Sequence, residues 1–141
     1  MNYDSLKLEN QVCFPLYVCA KEVINKYRPL LDRFDLTYTQ YITMMVLWET
    51  SPIISKELCR KLYLDSGTLT PLLKKLESKG YITRCRDNDD ERNLVVCITE
   101  KGMALRDEII SVPESVRSCI PVADEDLQQL YVILYRILEK L

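Results

Sequence analysis

Ser66, Thr68 and Thr70 fall within one short stretch, Asp65-Ser66-Gly67-Thr68-Leu69-Thr70-Pro71-Leu72-Leu73-Lys74-Lys75-Leu76-Glu77-Ser78-Lys79-Gly80. Small hydroxyl side chains can donate or accept at base edges and phosphates without the bulk that would keep a helix out of a major groove. Lys74 and Lys75 complete a candidate DNA-binding set on the same stretch. An ordinary capped surface helix would carry the same residues, so this group alone leaves both readings open. A second group tips the balance. Arg84, Arg86 and Arg92 flank Asp87-Asn88-Asp89-Asp90-Glu91, and an aspartate can hold a guanidinium in a fixed pose while its charge is directed at a narrow minor groove. Arg92, next to Asp90, is the candidate tip residue.

The elements that position these groups can be read from local chemistry. Hydroxyl residues in the first turn, apolar residues at Leu69, Leu72, Leu73 and Leu76, and Gly80 after the last turn supply a cap, a buried face and a stop for one helix. Tyr81-Ile82-Thr83-Arg84-Cys85-Arg86 and Asn93-Leu94-Val95-Val96-Cys97-Ile98 are β-prone runs around an Asp- and Asn-rich turn, which predicts a hairpin. Upstream, Ser55 caps a short helix carrying Leu58 and Leu62, and Tyr63-Leu64 leads into the reading helix to complete a helix-turn-helix. The expected fold is therefore mainly α with a small β-hairpin wing, a winged helix-turn-helix over about residues 53–100.

The rest of the chain supplies a support. From Glu9 to about Asn25, Val12, Leu16, Cys19 and Val23 recur at helical spacing, interrupted by Pro15. A helix over Tyr38–Trp48, capped by Thr37, is almost wholly apolar and so belongs at the centre of the fold. Thr99 starts another helix, with breaks at Pro113 and Pro121. The last helix begins near Asp124 and carries Leu127, Leu130, Leu134, Ile137, Leu138 and Leu141. Tyr131, Ile133 and Tyr135 widen that stripe beyond the need of one intramolecular contact, so the chain ends, about residues 9–50 and 103–141, are expected to pack against a second copy. A homodimer brings two reading helices to two half-sites of a pseudo-palindromic duplex operator.

The chain has 141 residues, 48% hydrophobic and 28% charged, enough for one soluble domain over residues 1–141 with a sizeable core. Its net charge of -2 argues against indiscriminate coating of nucleic acid. The distribution is uneven: residues 56–106 hold 11 Lys and Arg against 8 Asp and Glu, a net +3, and the remainder carries -5. The basic part coincides with the expected DNA reader. There is neither a secretory signal pattern at the start nor an apolar run long enough for a bilayer, so a cytoplasmic protein without membrane contact is expected. Six cysteines without close pairs and no histidine make a zinc site an improbable reading, and no cofactor is expected.

Several segments together resemble the MarR family of winged-helix regulators, and within it the organic hydroperoxide resistance branch. They are Leu8-Glu9-Asn10-Gln11-Val12-Cys13-Phe14, Leu36-Thr37-Tyr38-Thr39-Gln40-Tyr41, the reader from Leu64 to Lys74, and Asp90-Glu91-Arg92 in the wing. The resemblance implies that Cys13 is a peroxide-reactive thiol, reached from the other subunit by Tyr27 and Tyr38, with Tyr17 a further candidate for the same pocket. A thiolate attacks peroxide oxygen, and hydrogen-bond donors that stabilise sulfur's charge favour it. Cys119 lies close to where the two-cysteine subtype carries its resolving residue, implying an intersubunit Cys13–Cys119 disulfide after oxidation. Pro15 departs from the family pattern. If the helix begins beside it, Pro15 occupies a first-turn position where its missing N–H costs nothing, with Cys13 just outside the helix amino end, whose dipole favours thiolate.

The function so implied is a redox-sensing repressor, not an enzyme, released from its operator by organic hydroperoxide. Two alternatives remain at this stage: a regulator of the same fold that answers a small aromatic ligand or governs virulence and stress genes, and a thiol peroxidase.

Overall fold

Two reciprocal hydrogen bonds start the central helix. Gln40 N donates to Thr37 Oγ1 at 3.3 Å, and Thr37 N donates to Gln40 Oε1 at 3.1 Å, so two amide groups at the helix end are satisfied at once. The computed structural model describes residues 2–141. Its elements run α1 (Cys13–Leu31), α2 (Tyr38–Glu49), β1 (Ile53–Ile54), α3 (Ser55–Leu62), α4 (Ser66–Ser78), β2 (Ile82–Arg86), β3 (Leu94–Ile98), α5 (Glu100–Ile109), α6 (Val112–Ser118) and α7 (Asp124–Leu138). Two 3-10 turns, Asp4–Leu6 and Leu8–Asn10, precede α1. No helix among the described residues is long and apolar enough to cross a membrane.

The winged helix-turn-helix expected from the sequence is present, with one strand added. β3 is central in a three-stranded antiparallel sheet of order β1-β3-β2. Ile53 faces Val96 and Ile82 faces Ile98. The short β1 was not legible because two residues carry no periodicity and their partners lie far along the chain. α2, α3 and α4 pack on this sheet, burying Met44, Leu47, Leu58, Leu76, Ile82 and Val96. All four leucines expected on the inner face of α4 are buried, which fixes the rotation of the reading helix and turns its hydroxyl face outward.

Helix boundaries differ from expectation in three places. α1 does not begin at Glu9: the chain first makes the 3-10 turns, then becomes helical at Cys13 and continues to Leu31 through Pro29. Pro15 consequently sits in the first turn, where no intrahelical acceptor is lost. Cys13 is the first helical residue rather than one outside it. Ser55 is likewise the first residue of α3, with Ile54 in the cap position and no side-chain cap. Thr37, Asp65 and Thr99 do cap their helices, each accepting a backbone N–H through its side chain.

α2 and α5 are locked by a close approach at Gly102. Trp48 Nε1 donates to the Gly102 carbonyl at 2.8 Å, and a Cβ on Gly102 would lie 2.2 Å from the Tyr81 carbonyl oxygen. Gly102→Ala is therefore expected to destabilise the fold by about 1–3 kcal/mol, the range for overpacked interiors. Denaturant titration would register this as a lower midpoint with an unchanged slope; an unchanged midpoint would show that the contact relaxes freely.

α7 buries no residue within the chain. Leu130, Tyr131, Val132, Ile133, Tyr135 and Ile137 are all exposed, as are Val12, Phe14, Leu16 and Tyr17 near the start of α1. These residues lie on the two chain ends that the sequence led us to expect against a second copy, and they include Tyr131, Ile133 and Tyr135 of the wide last-helix stripe.

Candidate functional site

Asp65 organises the exposed end of the reading helix. Its carboxylate accepts from Thr68 N at 2.8 Å and from Thr68 Oγ1 at 2.8 Å, and these bonds hold its pKa below the usual carboxylate range. Thr70 Oγ1 donates to the Ser66 carbonyl at 2.8 Å. Thr68 and Thr70 thus commit their hydroxyl hydrogens within the helix and present oxygen lone pairs outward, a pattern suited to accepting from base amino groups. Ser66, Thr68, Thr70, Lys74 and Lys75 are all exposed on this helix.

The three arginines of the wing have different environments. Arg92 is 91% exposed, and its Nε donates to Asp90 Oδ1 at 3.0 Å. Asp90 Oδ1 also accepts from Arg92 N, so the carboxylate steers both the backbone and the guanidinium at the tip. Hydrogen bonding to Arg92 holds the Asp90 carboxyl below its usual range. Arg86 is exposed at the end of β2. Arg84 is turned inward: its Nε and Nη2 donate to Glu77 Oε2 at 3.0 and 2.7 Å, and its backbone N donates to Glu77 Oε1. Its side chain is 17% exposed. This pair clamps the wing to the reading helix.

Glu77 is held below the usual carboxylate range by its hydrogen bonds to Arg84. A carboxyl lowered on folding contributes stability above its unfolded value, near 4.3, that is lost as pH falls through the lowered folded value. The clamp is therefore complete at neutral pH and opens only on acidification below the ordinary glutamate range.

Tyr27 and Tyr38 meet where α1 packs on α2, their ring centroids 4.9 Å apart. Tyr41 joins them, 5.8 Å from Tyr27 and 6.4 Å from Tyr38. Burial raises the Tyr38 phenol; burial and then the neighbouring Tyr38 raise Tyr27. Tyr41 is pushed up to about 12, by burial first and by Tyr27 and Tyr38 after it. All three remain protonated donors at neutral pH. Tyr41 was missed as a member of the cluster, although its spacing of three from Tyr38 puts both on one face of α2. Beside Tyr38 opens a groove of about 330 Å³ bordered by Ile24, Arg28 and Thr37.

Cys13 is exposed at the opposite end of α1. Fourteen residues at 1.5 Å rise separate it from Tyr27, roughly 21 Å along the helix, so the two cannot meet within one chain. Tyr17 stays with Cys13, one turn further along α1; it is exposed, with Lys21 Nζ 5.9 Å from its ring centroid. Cys119 is exposed in the turn that closes α6. Arg117 staples this turn, donating to the carbonyls of Ile120 and Val122 at 2.9 and 2.8 Å and pairing with Asp124.

Residues 25–109 match the family described as transcriptional regulator SarA/Rot. The chain is 43% identical over 139 residues to the organic hydroperoxide resistance transcriptional regulator of Bacillus subtilis, covering 99% of this chain and 95% of that protein. It is 49% identical over 109 residues to the HTH-type transcriptional regulator SarZ of Staphylococcus saprophyticus, covering 77% of this chain and 75% of that one. Among solved structures it resembles AbfR in three states. Reduced AbfR bound to DNA superposes with a TM-score of 0.82 at 31% identity, and overoxidized AbfR bound to DNA with 0.81 at 33%, each covering 99% of this chain and 98% of the other. Disulfide-formed AbfR, at 34% identity and covering 94% and 95%, superposes with only 0.67.

Proposed function

The chain belongs to the MarR family of winged-helix transcriptional regulators, in the group of the organic hydroperoxide resistance and SarA/Rot regulators, and from that premise we propose that its reduced homodimer holds operator DNA until hydroperoxide oxidises Cys13. One observation carries this function: two half-buried, protonated phenols, Tyr27 and Tyr38, sit side by side at a place their own Cys13 cannot reach. A second subunit, docked through the exposed apolar faces of α1 and α7, brings its Cys13 to those donors. Phenolic hydrogen bonds stabilise the thiolate, which attacks the peroxide O–O bond. Sulfur takes one oxygen as sulfenic acid and the alcohol leaves. The Cys119 thiol of the opposite subunit then displaces water from the sulfenic acid, closing an intersubunit disulfide.

Release follows from geometry. A disulfide requires Cα atoms within about 7 Å, and Cys119 lies on a stapled turn next to the foot of α7, so drawing Cys13 to it displaces dimerisation helices and the reading heads they carry. The comparison with AbfR agrees in direction: this chain superposes better on the DNA-bound forms than on the disulfide form, although the latter is slightly more similar in sequence. Gel-shift titration of the reduced dimer against the DNA upstream of its own gene, with and without cumene hydroperoxide, tests the proposal. Loss of the shifted band on oxidation is expected, and a band that persists would overturn it.

Two wing variants separate contact from positioning. Arg92→Ala is expected to weaken operator binding and to lower the salt slope by about 0.9 per wing, roughly 2 for the dimer, as counterion release is lost. Arg84→Ala should weaken binding with the salt slope unchanged, because Arg84 acts through Glu77 on the angle of the wing. Equal slopes for wild type and Arg92→Ala would remove Arg92 from the interface.

A further inference from the structure

Two of the four cysteines that the sensing chemistry leaves unused lie on neighbouring strands. The β2–β3 register pairs Cys85 with Val95 and Thr83 with Cys97, so Cys85 and Cys97 occupy the same face of the wing, diagonal to one another across adjacent strands. The right-handed twist between adjacent antiparallel strands shortens one of the two diagonals and brings side chains there into reach. Burial, followed by the neighbouring Cys85, raises Cys97 above the usual thiol range. This face is the one opposite Ile82, Arg84 and Val96, which point toward the core and α4. Cys85 is exposed and Cys97 half-buried. The immediate neighbours of Cys85 in the chain are Arg84 and Arg86.

We propose that Cys85 and Cys97 form a second redox site, an intramolecular dithiol in the DNA-binding wing that organic hydroperoxide closes to a disulfide within one protomer. The accessible Cys85 is the sulfur attacked first. Its thiolate takes one oxygen from the hydroperoxide, giving a sulfenic acid and an alcohol. The Cys97 thiol then attacks that sulfur, water leaves, and one S–S bond replaces two S–H bonds. The two electrons lost by sulfur reduce the peroxide. Because diagonal positions are farther apart than a relaxed disulfide prefers, closure must shear the two strands slightly. Arg86 and the tip that carries Asp90 and Arg92 shift with them. The site is independent of Cys13, since it needs neither the second subunit nor Cys119.

The test uses full-length Cys13→Ser/Cys119→Ser protein, which retains four of the six cysteines, treated with cumene hydroperoxide, quenched with N-ethylmaleimide and digested with trypsin. Cleavage after Arg84, Arg86 and Arg92 leaves Cys85-Arg86 and residues 93–101 as separate peptides. The expected result is a disulfide-linked pair of these peptides, lighter by two hydrogens than their sum, from protein that remains a monomer on non-reducing electrophoresis. Two of its four thiols should be lost. Wild-type protein should give the same linked pair, which guards against an effect of the two serines on folding. Full alkylation of Cys85 and Cys97 after peroxide, or a linked pair that contains Cys19 or Cys59 instead, would overturn the proposal. Failure of hydroperoxide to release the wild type from DNA while the 85–97 link still forms would count against Cys13 as sensor and not against the wing dithiol.

Discussion

Cys13→Ser protein is expected to bind operator DNA within about threefold of wild type and to stay bound when organic hydroperoxide is added. A serine hydroxyl cannot be oxidised to a sulfenic acid, so the event that couples peroxide to helix position is removed, while the reading helix and wing are untouched. A coupling of about 100-fold between oxidation and operator affinity corresponds to about 2.7 kcal/mol, within the usual range for a linked pair of sites. Fluorescence anisotropy on a labelled operator, with the oxidant titrated, measures this directly. In wild type the Kd should rise by roughly that factor; in the variant this large rise should be absent, leaving at most the smaller effect of closing the wing dithiol. Release of the serine variant by peroxide would reject Cys13 as the sensor and pass the role to another thiol. The wing dithiol is then the first to examine, because it lies in the DNA-binding part of the molecule.

What the chain discloses before folding is what depends on neighbours in sequence. The four leucines of α4, the Thr37 cap, the stop at Gly80 and the wing hairpin each follow from spacing, capping or turn chemistry over a few residues, and each is found where expected. Features set by distant partners were hidden. β1 exists only because Ile53 and Ile54 pair with Val96 and Val95. Arg84 and Arg86 stand on either side of Cys85 in one strand, yet only Arg84 is drawn inward, because Glu77 on α4 bonds it across the packed interface. The six cysteines show no close pair in sequence, but the antiparallel register brings positions 85 and 97 to one face. α1 continues through Pro29 although helical spacing suggested an end near Asn25; packing of Leu31 in the core outweighs the loss of one hydrogen bond. In the proposed function the sensor is divided between subunits, so no single chain would display it whole.

Cys119→Ser separates oxidation of sulfur from the movement it sets off. Cys13 in this variant keeps its phenolic donors and should still react, yielding a sulfenic acid that a trapping reagent such as dimedone would capture. Without the resolving thiol no intersubunit bond closes. Non-reducing electrophoresis should show a covalent dimer for oxidised wild type and none for the variant. The larger effect is expected on DNA. A single added oxygen is expected to leave the dimerisation helices where they are, so in the absence of small-molecule thiols the oxidised variant should retain most of its operator affinity where wild type loses about 100-fold. Adding a small thiol to the oxidised variant would form a mixed disulfide at Cys13 and test whether bulk there can substitute for the protein cross-link. A covalent dimer that persists in Cys119→Ser would assign resolution to another cysteine. Prompt release of the variant by peroxide alone would show that the charge or volume of oxidised Cys13 suffices to part the reading heads, and the staple that Arg117 forms around the Cys119 turn would then have no part in the switch.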